Sequence, residues 1–358
     1  MIGENVTMKA YYHLPGLFEF YDFYKEFLSL WQNHREFFYD WCEIGSIYGA
    51  PADALWGGGR VGFGDENALK VAALLREHQI SARLTFSNSK LRKEHLDDYV
   101  CNKLCEIFEE NGHQPKDPNV QKVQDSHGIT NVRKVQNSRE AENFQNVQNP
   151  RETENVQNIQ NSREAVGVQN GVILHSDLLL DYLKEKYPSL YFVSSTTKVL
   201  TDFKDLEAEV KREDFKFVVP DFRLNKSFDK LGKLEQKYKD KLEFLCNECC
   251  YFGCTDRKAC YENVSLKALG ETEEDHICKA PNSKTGYRFS DAMKNPGFIS
   301  LDDIQKIYMP AGFSQFKIEG RSLGSAIVLE FLLYYMVKPE YQLRVREEMY
   351  LDSSLDLF

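Results

Sequence analysis

No run of apolar residues in this chain is long enough to cross a bilayer. The longest, 323–337, is interrupted by Glu330 and falls short of the roughly 20 residues a spanning helix needs. The opening residues, MIGENVTMKA, lack a basic stretch followed by an apolar one, so no secretory signal is expected. Positive charge is also scarce: 45 Lys and Arg stand against 55 Asp and Glu, a net of −10. That balance argues against a protein that coats nucleic acid without regard to sequence, although it leaves room for a local basic groove. The motifs of several enzyme classes are missing too. There is no Gly-x-Ser-x-Gly elbow, no His-Glu-x-x-His, and no defensible Cys–His nucleophile pair, so proteolysis lacks a mechanism in the sequence. With 42% hydrophobic and 28% charged residues the composition is that of an ordinary globular protein with one large core, and a cytoplasmic location is expected.

What the chain does have is cysteine, unevenly spread. Six of nine lie between 245 and 279: Cys246, Cys249, Cys250, Cys254, Cys260 and Cys278. Cys42, Cys101 and Cys105 sit in apolar surroundings, where a free thiol behaves as a small hydrophobe. Nothing points to an oxidising compartment, so metal ligation is a better reading of the dense set than disulfides. Cys250-x3-Cys254-x5-Cys260-x17-Cys278 offers four thiolates, which suits either a tetrahedral zinc or a four-iron cluster. Structural zinc prefers paired Cys-x2-Cys knuckles, and Cys246-x2-Cys249 has no second knuckle behind it. The three-plus-two spacing of radical-SAM enzymes is absent. An irregular set, three close and one distant, resembles a cluster site more than a zinc ribbon, with Cys249 and Cys246 in reserve. The bland alternative is a patch of buried thiols without metal.

Apolar, strand-like segments alternate with helical ones. Strands are expected at 9–13, 40–46, 82–86, 171–175, 190–194, 215–219, 242–246 and 315–318. Helices are expected through about 38 and at 66–78, 93–110, 177–186, 206–212, 228–239 and 322–337. Such alternation predicts a parallel sheet covered on both faces, and eight units in about 300 residues predict a closed (β/α)8 barrel of the TIM type. The open doubly wound alternative lacks a dinucleotide fingerprint after its first strand. In a barrel, active sites sit at the C-terminal strand ends. The candidates there are His13, Glu43, Asn88, His175, Asp177, Ser194, Asp221, Asn247, Glu248, Glu319 and Arg321. His13 shows no partner in the sequence.

Residues 112–170 differ in kind. Three copies of a 12-residue unit, at 135–146, 147–158 and 159–170, follow a decayed fourth at 123–134. The unit is rich in Gln and Asn and poor in large apolar groups, too poor to offset the entropy of ordering a core. A disordered insertion is therefore expected, dividing the barrel into 1–111 (units one to three) and 171–358 (units four to eight, with the Cys-rich segment 246–278).

Two further stretches bring in a family. PADALWGGGRVGF (51–63) resembles a Gly-rich segment near the start of the collagenase-like peptidases of family U-thirty-two, and QFKIEGR (315–321) resembles their FKIEGR motif. ARLTFSN (82–88) is similar to an early strand of the family, and NECCYFGC (247–254) to its cysteine-bearing variants. The resemblance implies a (β/α)8-type domain, often with a four-cysteine 4Fe–4S cluster, and places Cys250 and Cys254 on ligand positions. It also implies, despite the peptidase name, members that hydroxylate RNA bases or a quinone precursor without oxygen, some of them working in pairs. The chain departs from the family in lacking a His-Gly-Ala stretch before the first cysteine, and Cys260 and Cys278 are assigned by spacing.

Individual residues have competing roles. Glu319 and Arg321 either bind substrate at the barrel mouth or belong to ion pairs, Glu–Arg or Lys317–Glu, that fasten the last loop. The WGGGR loop either cradles phosphate or simply permits a tight turn. His175 and Asp177 suit acid–base partnership, while Asp177 equally suits the N-cap of the next helix. Glu248, beside the cysteines, is a base, a ligand, or an acceptor that orients a ligand. The expectation is thus an iron–sulfur enzyme with Cys250, Cys254, Cys260 and Cys278 holding the cluster and Glu248, Glu319, Arg321 and His175 as catalytic candidates. Its partners would be RNA or a small-molecule substrate and a heteromeric protein partner, with no membrane. The rivals are a zinc-stabilised, non-catalytic barrel serving as a binding or accessory subunit, and a peptidase or other hydrolase.

Overall fold

The computed structural model describes residues 8–58, 66–112, 168–281, 283, 289–320 and 322–355. The repeat insertion expected at 112–170 falls almost wholly on 113–167, outside the described residues.

Eight strands form one parallel sheet: β1 (Ala10–Pro15), β2 (Cys42–Gly49), β3 (Ser81–Phe86), β4 (Gly171–Leu174), β5 (Tyr191–Ser194), β6 (Phe217–Val218), β7 (Glu243–Leu245) and β8 (Gln315–Lys317). The strand order is β6-β5-β4-β3-β2-β1-β8-β7, every pairing parallel. A single parallel bridge between Val218 and Leu242 brings the two edges together, so the sheet is a nearly closed barrel. All eight expected strands are present. Between them run α1 (Tyr21–Asn33), α2 (Ala68–Glu77), α3 (Tyr99–Gly112), α4 (Asp177–Lys186) and α5 (Phe203–Lys211), followed by the short α6 (Phe228–Leu231) and α7 (Gln236–Lys239). The segment after β7 holds α8 (Arg257–Ala268), α9 (Phe289–Met293) and α10 (Leu301–Asp303). After β8 come α11 (Ser325–Met336) and α12 (Gln342–Leu355).

Local chemistry starts these helices where they start. Asn67 caps α2 by accepting the N–H groups of Leu69 and Lys70, Ser176 caps α4 through Leu179, and Asp202 caps α5 through Lys204. The expected single helix at 228–239 divides in two around Gly232 and Leu234, which close α6 before Glu235 opens α7. No helix among the described residues is long and apolar enough to cross a membrane.

The period of two along each strand sorts side chains into two cores. Outward positions such as Tyr12, Leu84, Phe86, Val172, Leu174, Phe244 and Phe316 join one large cluster beneath the helices. Inward positions form a small apolar cluster of Tyr48, Ile173, Tyr191, Val193, Val219 and Leu245, with Phe217 packed against it. Charged and polar side chains share the same interior. Glu243, fully buried, accepts from Arg83 Nη1 and from Lys317 Nζ (3.2 Å). Arg83 Nε donates to Tyr191 Oη (2.7 Å), and Tyr191 shares a hydrogen with Ser81 (2.8 Å). His13 contacts Ser46 Oγ through Nδ1 (2.8 Å) and Gln315 Oε1 through Nε2 (3.0 Å), with Glu243 at 3.5 Å.

These contacts settle several charge states. Burial would raise the Glu243 carboxyl, but Arg83 and Lys317 hold it well below the usual carboxylate range. Burial, reinforced by Arg83 and opposed by Glu243, brings His13 down to about 3, so its imidazole is neutral. A buried ion-pair group of this kind stays folded because its partners are also bonded elsewhere. In the sequence His13 stands without a partner at an expected strand end. The structure corrects both points, because β1 runs on to Pro15 and leaves His13 inside the barrel. Glu43 is likewise no mouth residue, since β2 extends to Gly49; it pairs with Lys9 (2.9 Å) at the other end. Registers slip by one residue between Tyr12 and His13, leaving Gly45 as the extra residue of β2. A Cβ there would come within 2.6 Å of the His13 ring, so glycine makes room for the imidazole.

Candidate active site at the C-terminal mouth of the barrel

A narrow cleft opens at the C-terminal strand ends. Hydroxyls line one side: Thr85 and Ser87 at the end of β3, and Ser195, Thr196 and Thr197 after β5. Opposite stand Glu248, Tyr261, Lys317 and Glu319 from the β7 and β8 segments, over an apolar floor of Ile173, Val219 and Leu245. Gly58, from the β2–α2 loop, closes the rim. A Cβ on Gly58 would lie 2.4 Å from the Ser87 carbonyl oxygen, so this glycine is demanded by close backbone approach. The neighbouring residues 59–65 of the Gly-rich loop lie outside the described residues.

The two loops that carry the carboxylates are tied to each other. Asn247 Nδ2 donates to the Glu319 carbonyl (2.8 Å), and the Glu319 N–H donates back to Asn247 Oδ1 (2.7 Å). Glu248 is almost fully buried; its Oε1 accepts the Cys250 N–H (2.9 Å) and its Oε2 accepts from Arg257 Nη2 (2.6 Å). Arg257, also buried, leans on Tyr261 Oη (2.8 Å) and lies 3.7 Å from Asp221. Asp221 in turn is clamped by Arg223 (2.6 Å), whose Nη1 reaches the Cys254 carbonyl (2.8 Å). Asn295 donates to the carbonyls of Glu248 and Cys250 (3.2 and 2.9 Å). The cysteine segment is thus fastened to the barrel mouth by charged and amide side chains at several points.

The structure places the sequence-derived candidates as follows. Glu248 and Glu319 line the cleft, and with Cys249 they bring a carboxylate oxygen each and a sulfur within 4.8 Å of one another. Cys250 and Cys254 sit half-buried in the loop after β7, Cys260 in the first turns of α8, and Cys278 on the exposed stretch beyond it. A single zinc ion with Zn–S bonds of about 2.3 Å holds its sulfurs roughly 4 Å apart. No three of Cys250, Cys254, Cys260 and Cys278 gather that closely. A four-iron cluster spreads its thiolates more widely around its own bulk. Cys246, the deeper reserve, points outward into the core beneath the helices, where burial raises its thiol far above the usual range. Arg321 lies outside the described residues.

His175 follows β4 and meets Thr197 Oγ1 (2.9 Å) just behind the cleft wall. Burial, helped by Lys198 and Lys258, brings it down to about 4, so it is a neutral group near pH 7. It is not paired with Asp177. That aspartate points to Arg212 (2.9 Å), and the helix cap expected of it belongs to Ser176. Asn88 and Ser194 are structural: Asn88 donates to the carbonyls of Leu55 and Ser265, and Ser194 to Glu209. The Lys317–Glu pair considered for the last loop exists, but inside the barrel with Glu243.

Thr85, Ser87, Lys317 and Arg257 were missed as site residues. The first and third carried a readable signal, since a polar residue at every second position of ARLTF and QFKI marks the inward face. Arg257 carried none, because it acts through a fold of the loop that spacing does not show.

These features define a (β/α)8 barrel whose C-terminal mouth holds a polar cleft flanked by a cysteine-rich segment. No family model and no curated protein matches the sequence. Among solved structures the chain is similar to the U32 peptidase Mk0906, at 11% identity and a TM-score of 0.44, over 89% of this chain and 95% of that one.

Proposed function

We propose that the chain is an iron–sulfur enzyme that modifies a small polar metabolite or a single RNA base in the cleft at the barrel mouth. The observation that carries this reading is the meeting of Glu248 and Glu319 with a row of hydroxyls at the strand ends, directly beside the cysteine segment. Cys250, Cys254, Cys260 and Cys278 are the residues that would hold the cluster. A buried cation lies beside the cysteine loop: the guanidinium of Arg257, held by Glu248 and facing Asp221 at 3.7 Å, keeps Nη1 without a hydrogen-bond partner, which suits a neighbouring anionic group. When bound, such a cluster supplies one-electron chemistry. The chain's own residues do the rest. Thr85, Ser87 and Thr196 offer hydroxyls to orient a polar substrate, and Lys317, anchored on Glu243, presents positive charge from below. Glu319 is the carboxylate placed to accept a proton from a bound substrate.

Oxygen-independent hydroxylation is the reaction type that the resemblance implies. Peptide hydrolysis is disfavoured by the site itself. Ser46 contacts a histidine, His13, but both are buried within the barrel and Glu243 is already engaged by two cations. The test is comparative mass spectrometry of nucleosides and metabolites from cells that carry the wild-type chain or Glu319→Gln. A species bearing one added oxygen, present with the wild type and lost with the variant, is the expected result. Identical profiles in wild-type, variant and chain-free cells would overturn the enzyme reading.

A further inference from the structure

The geometry points to a second metal site in this protein, a mononuclear one made by Glu248, Cys249 and Glu319, that takes a divalent cation of the zinc class. One carboxylate oxygen from each glutamate and the Cys249 sulfur lie within 4.8 Å of one another, so that small side-chain rotations would bring all three onto a single ion with bonds of about 2.0–2.3 Å. The three residues come from two loops, those after β7 and β8, and the reciprocal bonds between the Asn247 side chain and the Glu319 backbone hold these loops in register. Glu248 already has its orientation fixed by the Cys250 N–H and the Arg257 guanidinium. A carboxylate oriented in this way is typical of a ligand steadied from behind.

A separate observation points to a ligand in the same space. Thr85 Oγ1 belongs to a side chain only 4% exposed, lines the same cleft as Glu248 and Glu319, and has no hydrogen-bond partner. A buried hydroxyl left so pays a desolvation cost unless something in the cleft meets it. A water or substrate oxygen on an ion with three protein ligands and an open fourth position would do this. The donor set selects the ion. A thiolate disfavours magnesium and calcium, while two carboxylates beside it suit a borderline cation such as zinc better than a soft monovalent one. The inference does not rest on the cluster assigned to Cys250, Cys254, Cys260 and Cys278, from which Cys249 is distinct.

Cobalt(II) titration of the full-length, chelator-treated protein under nitrogen tests it, because cobalt reports thiolate ligation by a sulfur-to-metal charge-transfer band. The expected result is one cobalt per chain with that band present, displaced by zinc and not by magnesium. The band should vanish in Cys249→Ala, weaken in affinity by at least roughly tenfold in Glu319→Gln, and survive in Cys254→Ser and Cys278→Ser. Circular dichroism confirms that each variant is folded. A band that survives Cys249→Ala but is lost in Cys254→Ser or Cys278→Ser would assign cobalt to the four-cysteine set and overturn the second site. Absence of any thiolate band in the folded wild type would overturn it equally.

Discussion

Glu243 shows how much of this barrel depends on single charges. It is the buried acid between Arg83 and Lys317, and removing its charge would strand two cations in the interior. Breaking a buried pair in this way typically costs about 3–5 kcal/mol. Glu243→Gln should therefore lower the unfolding free energy by that order in denaturant melts; a loss below about 1 kcal/mol would mean that water reaches the pair. The two depressed histidines set a second prediction. His13 and His175 are held near 3 and 4, while in the unfolded chain each takes up a proton near the ordinary 6.5. The unfolded state therefore binds more protons below that value. Their contribution is fully present above about pH 7 and declines as pH falls through 6.5 towards 4 and then 3, by an amount on the order of 3 kcal/mol for His175 and 5 kcal/mol for His13. His175→Asn should flatten part of that acid slope in melts from pH 7 to 4, and an unchanged slope would contradict the assignment.

At the scale of elements, the joining of the β7 and β8 loops decides the shape of the cleft. Asn247→Ala removes both side-chain bonds to Glu319 and should cost about 1–3 kcal/mol. It should also lower the affinity of the mouth for metal while leaving the far-ultraviolet spectrum of the barrel intact; unaltered metal binding would show that other contacts hold Glu319. Strands and helices were mostly legible in the sequence, because eight apolar segments separated by helical periods leave little choice of architecture. Strand ends were less so. The expected strands stop at 13 and 46, yet β1 runs on to Pro15 and β2 to Gly49, and this moved His13 and Glu43 away from the mouth. The helix Arg257–Ala268 inside the cysteine segment was not foreseen, since cysteines and charges mask its weak amphipathic period. Glu248 and Glu319 were legible as strand-end carboxylates, but their meeting with Cys249 depends on two loops whose paths no local pattern records.

For the whole molecule, the barrel on either side of the repeats closes without them. α3 ends at Gly112, whose backbone lies against Val168 and Asn170, and Asn170 bonds to both Ala82 N and Phe108 O. The two ends of the 113–167 segment are therefore neighbours, and a short Gly-Ser linker can join them. A chain so shortened should unfold cooperatively with a midpoint close to that of the intact protein; loss of a cooperative transition would show that the repeats belong to the fold.

The central claim is that the cysteine segment places a redox cluster beside the cleft. The most direct measurement is the absorbance spectrum of anaerobically purified protein, with iron, acid-labile sulfide and zinc assayed on the same sample. A broad visible band with about four irons and matching sulfide per chain, as a thiolate-held cubane gives, is the predicted result. A colourless protein without iron or sulfide, prepared without exposure to air, would contradict it.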